Sequence, residues 1–314
     1  LMVHTNKINP ATTPTATSAA SMTNGHPVVV IQADGQQSTG KYAGLVVPEL
    51  VRHGLQVRAM VHDPDKAEIA RSNGASEVVE ADLGDRASLD SALRDVDGVF
   101  LITPAFHPQA TQLGLNMVYA AADAGVGKIV YNGVYHPSLS LVNHQSTRPI
   151  EEALYISQLD FTVLQPAMYM QGLEGACRQA LQTGALVMPW SKHSKMTYVD
   201  YRDVAEVVAI AFSGHQLSYG TFELAAGGMF DHIDLADLIG SATGRRVTAE
   251  APQASGQPQG RPDGLEAMFA EYDTHGFHGG NALVLRAILR RHPRSITDYL
   301  NALTAAHRGT DRRR

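Results

Sequence analysis

Six short apolar runs in the first half of the chain, the first five each followed by a segment of helical spacing, limit its fold more than any other feature. The runs are "VVVI" at 28–31, "LQVRAMV" at 55–61, "SEVVEADL" at 76–83, "GVFLITP" at 98–104, "KIVYNG" at 128–133 and "DFTVLQP" at 160–166. They are nearly continuous in apolar character rather than alternating. A strand of that kind is buried on both faces, which happens when helices cover both sides of a parallel sheet. The intervening stretches supply those helices. Between Tyr42 and His53, Leu45, Val46, Leu50 and Val51 fall on one helical face and Gly54 ends the run. The expected architecture is therefore α/β, a doubly wound parallel sheet of Rossmann type. After Pro166 the rhythm breaks. "KMTYVDY" and "GTFELAA" still read as strands around the helix "DVAEVVAIAFSG", a low-complexity linker "APQASGQPQGRPDG" follows, and the rest is helical. The expected organisation is a flexible tail at 1–25 and a dinucleotide-binding domain at 26–166. A mixed segment at 167–308 rejoins the sheet and forms a smaller, mainly helical substrate lid, and 309–314 is a basic tail.

The turn after the first run, "VVVIQADGQQSTGKYAG", raises the question of which phosphate it would hold. Gly35 to Lys41 reads GxxxxGK, most of a P-loop, but Tyr42 stands where Ser or Thr would hold magnesium. P-loop enzymes also place an acid at the end of a buried strand, and "FLITP" and "VLQP" carry none. A dinucleotide site gives each strand end a task. Gly35, Gly40 and Lys41, with the helix that follows, would hold pyrophosphate. His62 and Lys66, beside Asp63, would meet the adenosine ribose or a 2′-phosphate, the two cations being better placed than the acid. Asp82 and Leu83 would flank adenine. Thr103 and Pro104 would line the path to nicotinamide.

The 314 residues carry a formal charge of −6, which argues against a nucleic-acid binder. The single cysteine, Cys177, excludes an internal disulfide framework and points to a reducing, cytoplasmic setting. No apolar run approaches the ~20 residues of a membrane helix. The Thr-, Ala- and Ser-rich start lacks the charged and apolar regions of a signal peptide, and Met22 reads as a second start.

From about Val28 to about Ala305 the chain resembles the NmrA-like family, atypical relatives of short-chain dehydrogenases. The resemblance rests on "VRAMVHDPDKA", "VVEADLGDRASLDSAL", "GVFLITP", "IVYNGVYHP", "NHQSTRPIEEAL", "LDFTVLQPAMYMQ", "MTYVDYRDVAEV" and "EYDTHGFHGGN" taken together. It implies a Rossmann fold with a C-terminal lid, NADP or NAD as cofactor, and a small apolar or aromatic substrate. The family holds both reductases and non-catalytic redox sensors. Three departures stand out. Gln32 occupies the place of the first glycine of G-A-T-G-x-x-G and Asp34 that of the usual threonine, so the turn either cradles a dinucleotide by a longer route or has lost the ability. The position of the family's "NHxxK" lysine is Thr147, with Arg148 beside it. His62 stands where relatives often have Arg.

The candidate catalytic groups are His136, Tyr169, Asn132 and His144. Asn132 ends the fifth strand and would orient a carbonyl. His136 on the following loop is the leading proton donor, because an imidazole titrates near working pH, and His144 is the second. Alternatively both histidines bond backbone and order the loop. Tyr169 matches an aromatic that borders nicotinamide in relatives, and it reads either as a hydroxyl donor or as a pocket wall. Met168 and Met170 would shape an apolar pocket, with Trp190 lining it or packing the lid. His275 and His278 would rim it. Asp200 and Asp203 read as helix caps, and Cys177 as an inert thiol. No metal site is expected. The leading function is NAD(P)H-dependent reduction of an enone, quinone or aromatic ketone. A cofactor-independent isomerase, lyase, cyclase or hydrolase and a non-catalytic NADP-binding sensor are the alternatives. Oligomeric state cannot be read.

Overall fold

The computed structural model describes residues 27–32, 39–251 and 264–311. The turn at 33–38, with Asp34 and Gly35, lies outside the described residues, as do the linker at 252–263 and both terminal segments.

The first half alternates as the apolar runs require. β1 (Val28–Gln32), α1 (Thr39–Arg52), β2 (Val57–Val61), α2 (Ala67–Ser72), β3 (Glu77–Glu80) and α3 (Arg86–Ala92) come first. β4 (Gly98–Ile102), α4 (Ala110–Asp123), β5 (Lys128–Asn132), α5 (Val142–Gln145), α6 (Arg148–Ile156) and β6 (Asp160–Pro166) follow. The remaining elements are β7 (Met168–Tyr169), α7 (Glu174–Thr183), β8 (Ala185–Val187), β9 (Met196–Val199), α8 (Tyr201–Phe212), β10 (Gly220–Leu224), β11 (Met229–Phe230), α9 (His232–Thr243), β12 (Thr248–Glu250), α10 (Leu265–His275), α11 (Leu283–Leu289) and α12 (Ile296–Asp311).

The main sheet has seven parallel strands in the order β10-β6-β5-β4-β1-β2-β3. The order reverses between β1 and β4, which leaves a crevice at the carboxyl ends of the strands. Alternate residues of each strand feed two cores. Phe100, Ile102 and Val130 join α1 and α8 on one face. Val99, Leu101, Ile129 and Tyr131 join α3, α4 and α6 on the other. "GTFEL" returns to this sheet as β10, while β11-β9-β7 and β12-β8 form two small sheets.

β3 stops at Glu80, short of the end of the "SEVVEADL" run. The reason is local. The Ser88 hydroxyl takes the Asp82 N–H, and the Asp82 carboxylate accepts from Gly84 N–H at 2.7 Å, so the chain turns there.

Asp200 caps α8 through Arg202 N–H and holds Gln171 and the Arg202 guanidinium. Burial pushes its carboxyl up, but these hydrogen bonds prevail and hold it below the usual range. Asp203, fully buried one turn on, does more than cap. It accepts from Arg291, at 2.7 Å, and from the Arg294 guanidinium and backbone N–H, tying α8 to the start of α12. Removing the carboxylate leaves two guanidinium groups short of a partner. Asp203→Ala should therefore destabilise the protein by about 2–3 kcal/mol, the guanidiniums being partly solvated. The check is urea unfolding, with the midpoint lowered and the slope unchanged.

Candidate functional site

A cleft of about 290 Å³ opens at the carboxyl ends of β4, β5 and β6. That is near the lower end of the ~300–1,000 Å³ usual for small-molecule sites. Each strand end contributes its last residues: Ile102 to Ala105, Asn132 to Val134, and Pro166 to Tyr169. α5 and the residues after it add Asn143, Ser146 and Thr147, and the lid adds Met268, Tyr272 and Phe277. None of these described lining residues carries a formal charge.

Asn132 is buried on the cleft floor. Its side-chain N–H donates to the Tyr169 hydroxyl at 2.9 Å, and its Oδ1 is buried with no hydrogen-bond partner among the described residues. The Tyr169 ring is fixed edge-on to Tyr201, 4.8 Å between centroids. Asn132 and Tyr169 are thus a rigid pair, brought together because β5 and β6 are neighbours and β7 follows β6 directly. Thr103 and Pro104 reach the same cleft from the end of β4.

The two histidines take the second placement weighed for them, bonding backbone and ordering the loop. His136 does not line the cleft. Its backbone is in the left-handed region, φ 55°, and the ring turns toward the lid. There Nδ1 lies 3.2 Å from the Glu223 carboxylate and Nε2 2.8 Å from the His278 carbonyl. Both nitrogens are held by acceptors, so the ring clamps the loop after β5 to β10 and to the lid. His144 is fully buried and donates from Nδ1 to the His136 carbonyl at 3.0 Å. Burial pushes its pKa down, which keeps the imidazole neutral. Arg148 is likewise committed to structure, donating to the carbonyls of Pro137, Ser138 and Leu139. The position expected to hold a family lysine, Thr147, lines the cleft with its hydroxyl donating to the His144 carbonyl at 2.9 Å.

Among the expected cofactor residues, His62 and Asp82 meet across the ends of β2 and β3, 3.8 Å apart and exposed. Lys66 lies nearby in sequence on a short 3-10 turn that Asp63 caps, and it is exposed. Leu83 is buried, its carbonyl accepting from Asn116. Gly40 and Lys41 belong to the first turn of α1.

Other expectations divide. Met168 lines the cleft, whereas Met170 is core. Trp190 packs the lid against His232, Phe269 and Tyr272. His275 pairs with Glu271 instead of rimming the cleft. Cys177 is buried, its thiol pushed up to about 11. Asn143, Met268, Tyr272 and Phe277 are among the lining residues that sequence reasoning missed. A signal for Phe277 existed in "HGFHGGN". Gly276 has φ 69°, and a Cβ there would meet the Lys195 carbonyl at 2.5 Å. That close approach lets Phe277 bond β9 through Lys195 and Thr197, carrying its ring to the cleft.

A parallel sheet in this strand order, with an apolar cleft at the strand ends and a polar pair on its floor, defines a Rossmann-type small-molecule binding protein with a lid. The chain belongs to the NmrA-like family, whose model matches residues 27–299. It is 30% identical to quinone oxidoreductase 2 of Escherichia coli (strain K12), covering 77% of this chain and 87% of that protein. It is 25% identical to an NAD(P)H azoreductase of Xenophilus azovorans, covering 74% and 84%. Among solved structures, the Escherichia coli NADPH-dependent quinone oxidoreductase in complex with NADPH superposes with a TM-score of 0.75 at 24% identity, covering 88% of this chain and 99% of that one. No helix among the described residues is long and apolar enough to cross a membrane.

Proposed function

We propose that this chain, an NAD(P)-dependent oxidoreductase of the NmrA-like family, reduces neutral, mainly apolar quinones, with quinone-like dyes as related substrates. The observation that carries the reading is the cleft whose floor is the Asn132–Tyr169 pair and whose described lining residues carry no charge. The residues present fit a nicotinamide group. The unpartnered buried Oδ1 of Asn132 suits an amide donor, and the cleft lies at the strand ends where a dinucleotide would run from the switch point. The names of the two curated relatives agree with that fit. His62 and Lys66 would meet the adenosine end, which favours NADPH over NADH. Gly35, Gly40 and Lys41 would lie at the pyrophosphate.

Bound NADPH supplies the hydride. This chain's residues do the rest. Tyr169 gives a proton to a quinone oxygen, so that hydride plus proton yields the hydroquinone, and the phenol is reprotonated from solvent. The N–H of Asn132 steadies the tyrosyl oxygen as its proton leaves. The apolar wall of Pro104, Met168, Met268 and Phe277 keeps water from the reacting atoms. A carboxylated or sulfonated substrate would find no counter-charge among the described lining residues.

The test is initial-rate NADPH oxidation with a neutral naphthoquinone and with its sulfonated analogue. The neutral compound should be turned over to hydroquinone with at least ~10-fold higher kcat/KM. Equal rates, or no oxidation with either, would overturn the reading.

A further inference from the structure

Asn143 holds a second unmatched acceptor in the cleft, away from the Asn132–Tyr169 pair. It lies on α5 and lines the cleft, and its Oδ1 is buried with no hydrogen-bond partner among the described residues. The orientation of the amide is set by its neighbour. Nδ2 donates to the Met268 sulfur at 3.7 Å. Turning the amide over would set an oxygen against that sulfur and bury an unpaired N–H, so the acceptor is the atom left without a partner beside the cleft. A buried acceptor with no donor is costly, and a ligand that brings a donor removes the cost. The lining offers little in return. The Ser146 hydroxyl is used on the Asn143 carbonyl and the Thr147 hydroxyl on the His144 carbonyl. Met268, which contacts Asn143, is apolar, and Tyr272 and Phe277 line the same cleft with their rings.

We propose that Asn143 is a specificity-determining residue, and that the preferred substrate is a neutral quinone carrying an amino or hydroxyl donor on its ring edge. This rests on the reductase reading for the reaction, but recognition of the donor does not depend on turnover. Asn143 is not placed in the chemical step. It selects which ring edge enters the cleft and so fixes which carbonyl faces Tyr169.

The experiment compares two isosteric naphthoquinones, one with an amino group beside a carbonyl and one with a methyl group there. Intrinsic reactivity differs between them, so the informative quantity is how a substitution changes the ratio of their kcat/KM values. Asn143→Leu should reduce the preference for the amino compound ~10-fold, and Asn143→Asp, which keeps an acceptor oxygen, should restore part of it. An unchanged ratio in Asn143→Leu would overturn the proposal. Binding of the non-reducible pair aminonaphthalene and methylnaphthalene to the unmodified protein, followed by calorimetry, gives a second readout. The amino compound should bind at least ~5-fold more tightly, and equal affinities would overturn the proposal even if the leucine variant fails to fold. Discrimination in binding with no turnover of either quinone would support the role of Asn143 while sinking the reductase reading.

Discussion

Replacing Tyr169 with Phe is expected to lower kcat for quinone reduction ~10²- to 10³-fold, with NADPH affinity little changed. The phenol and the Asn132 amide are 2.9 Å apart and act as one unit. Asn132→Ala should therefore cost a similar factor, and the double variant little more than either single one. His136→Ala is the control. Its ring nitrogens are occupied by Glu223 and the His278 carbonyl, outside the cleft. The substitution should loosen the lid and raise KM while leaving kcat within a few-fold. A kcat collapse in a folded His136→Ala protein, with Tyr169→Phe nearly normal, would return the proton to the histidine.

The second large effect is on stability in acid. His232, at the start of α9, is fully buried against Trp190, and neither ring nitrogen has a hydrogen-bond partner among the described residues. Burial lowers its pKa from 6.5 to about 4, with His193 adding to the fall and Asp231 opposing it. The unfolded chain then binds a proton below about pH 6.5 that the folded chain does not accept until about pH 4. Above pH 6.5 the group contributes nothing. As pH falls through the window, the unfolded state gains, and by its lower end the folded state has lost about 3 kcal/mol. His144, whose pKa burial also lowers, adds in the same direction. Unfolding free energy should thus drop steeply between pH 6.5 and 4. His232→Leu, which removes two unpaired polar atoms, should be near neutral at pH 7 and should flatten that slope. The measurement is urea unfolding at several pH values, and an identical slope in the variant would contradict the assignment.

The parallel sheet was legible because continuous apolar runs have few other uses. β10 was legible only as a strand, since nothing in "GTFEL" says which edge of a sheet it joins. That Asn132, Tyr169, Thr103 and Pro104 share one cleft was readable because strand order alone sends the ends of β4, β5 and β6 to one place. The choice between the two readings of His136 was not legible, because its left-handed backbone turns the ring toward Glu223 and His278, residues far along the chain. Spacing within "YNGVYHP" carries no trace of that. Asn143 and Met268 were invisible for a related reason. One comes from a four-residue helix and the other from the lid, and their contact exists only after the lid has packed. Asp203 read as a cap because its position permits one, but the arginines that claim it lie more than eighty residues later.

On this reading the cleft works with a nicotinamide dinucleotide despite Gln32 and Asp34 in the glycine turn. Titration of the purified chain with NADPH and with NADH, followed by nucleotide fluorescence and calorimetry, tests it most directly. Micromolar binding of NADPH, tighter than that of NADH and weakened by Lys66→Ala, is the expected result. No binding of either nucleotide at millimolar concentration would contradict the account and leave Tyr169 and Asn132 to a reaction that uses no cofactor.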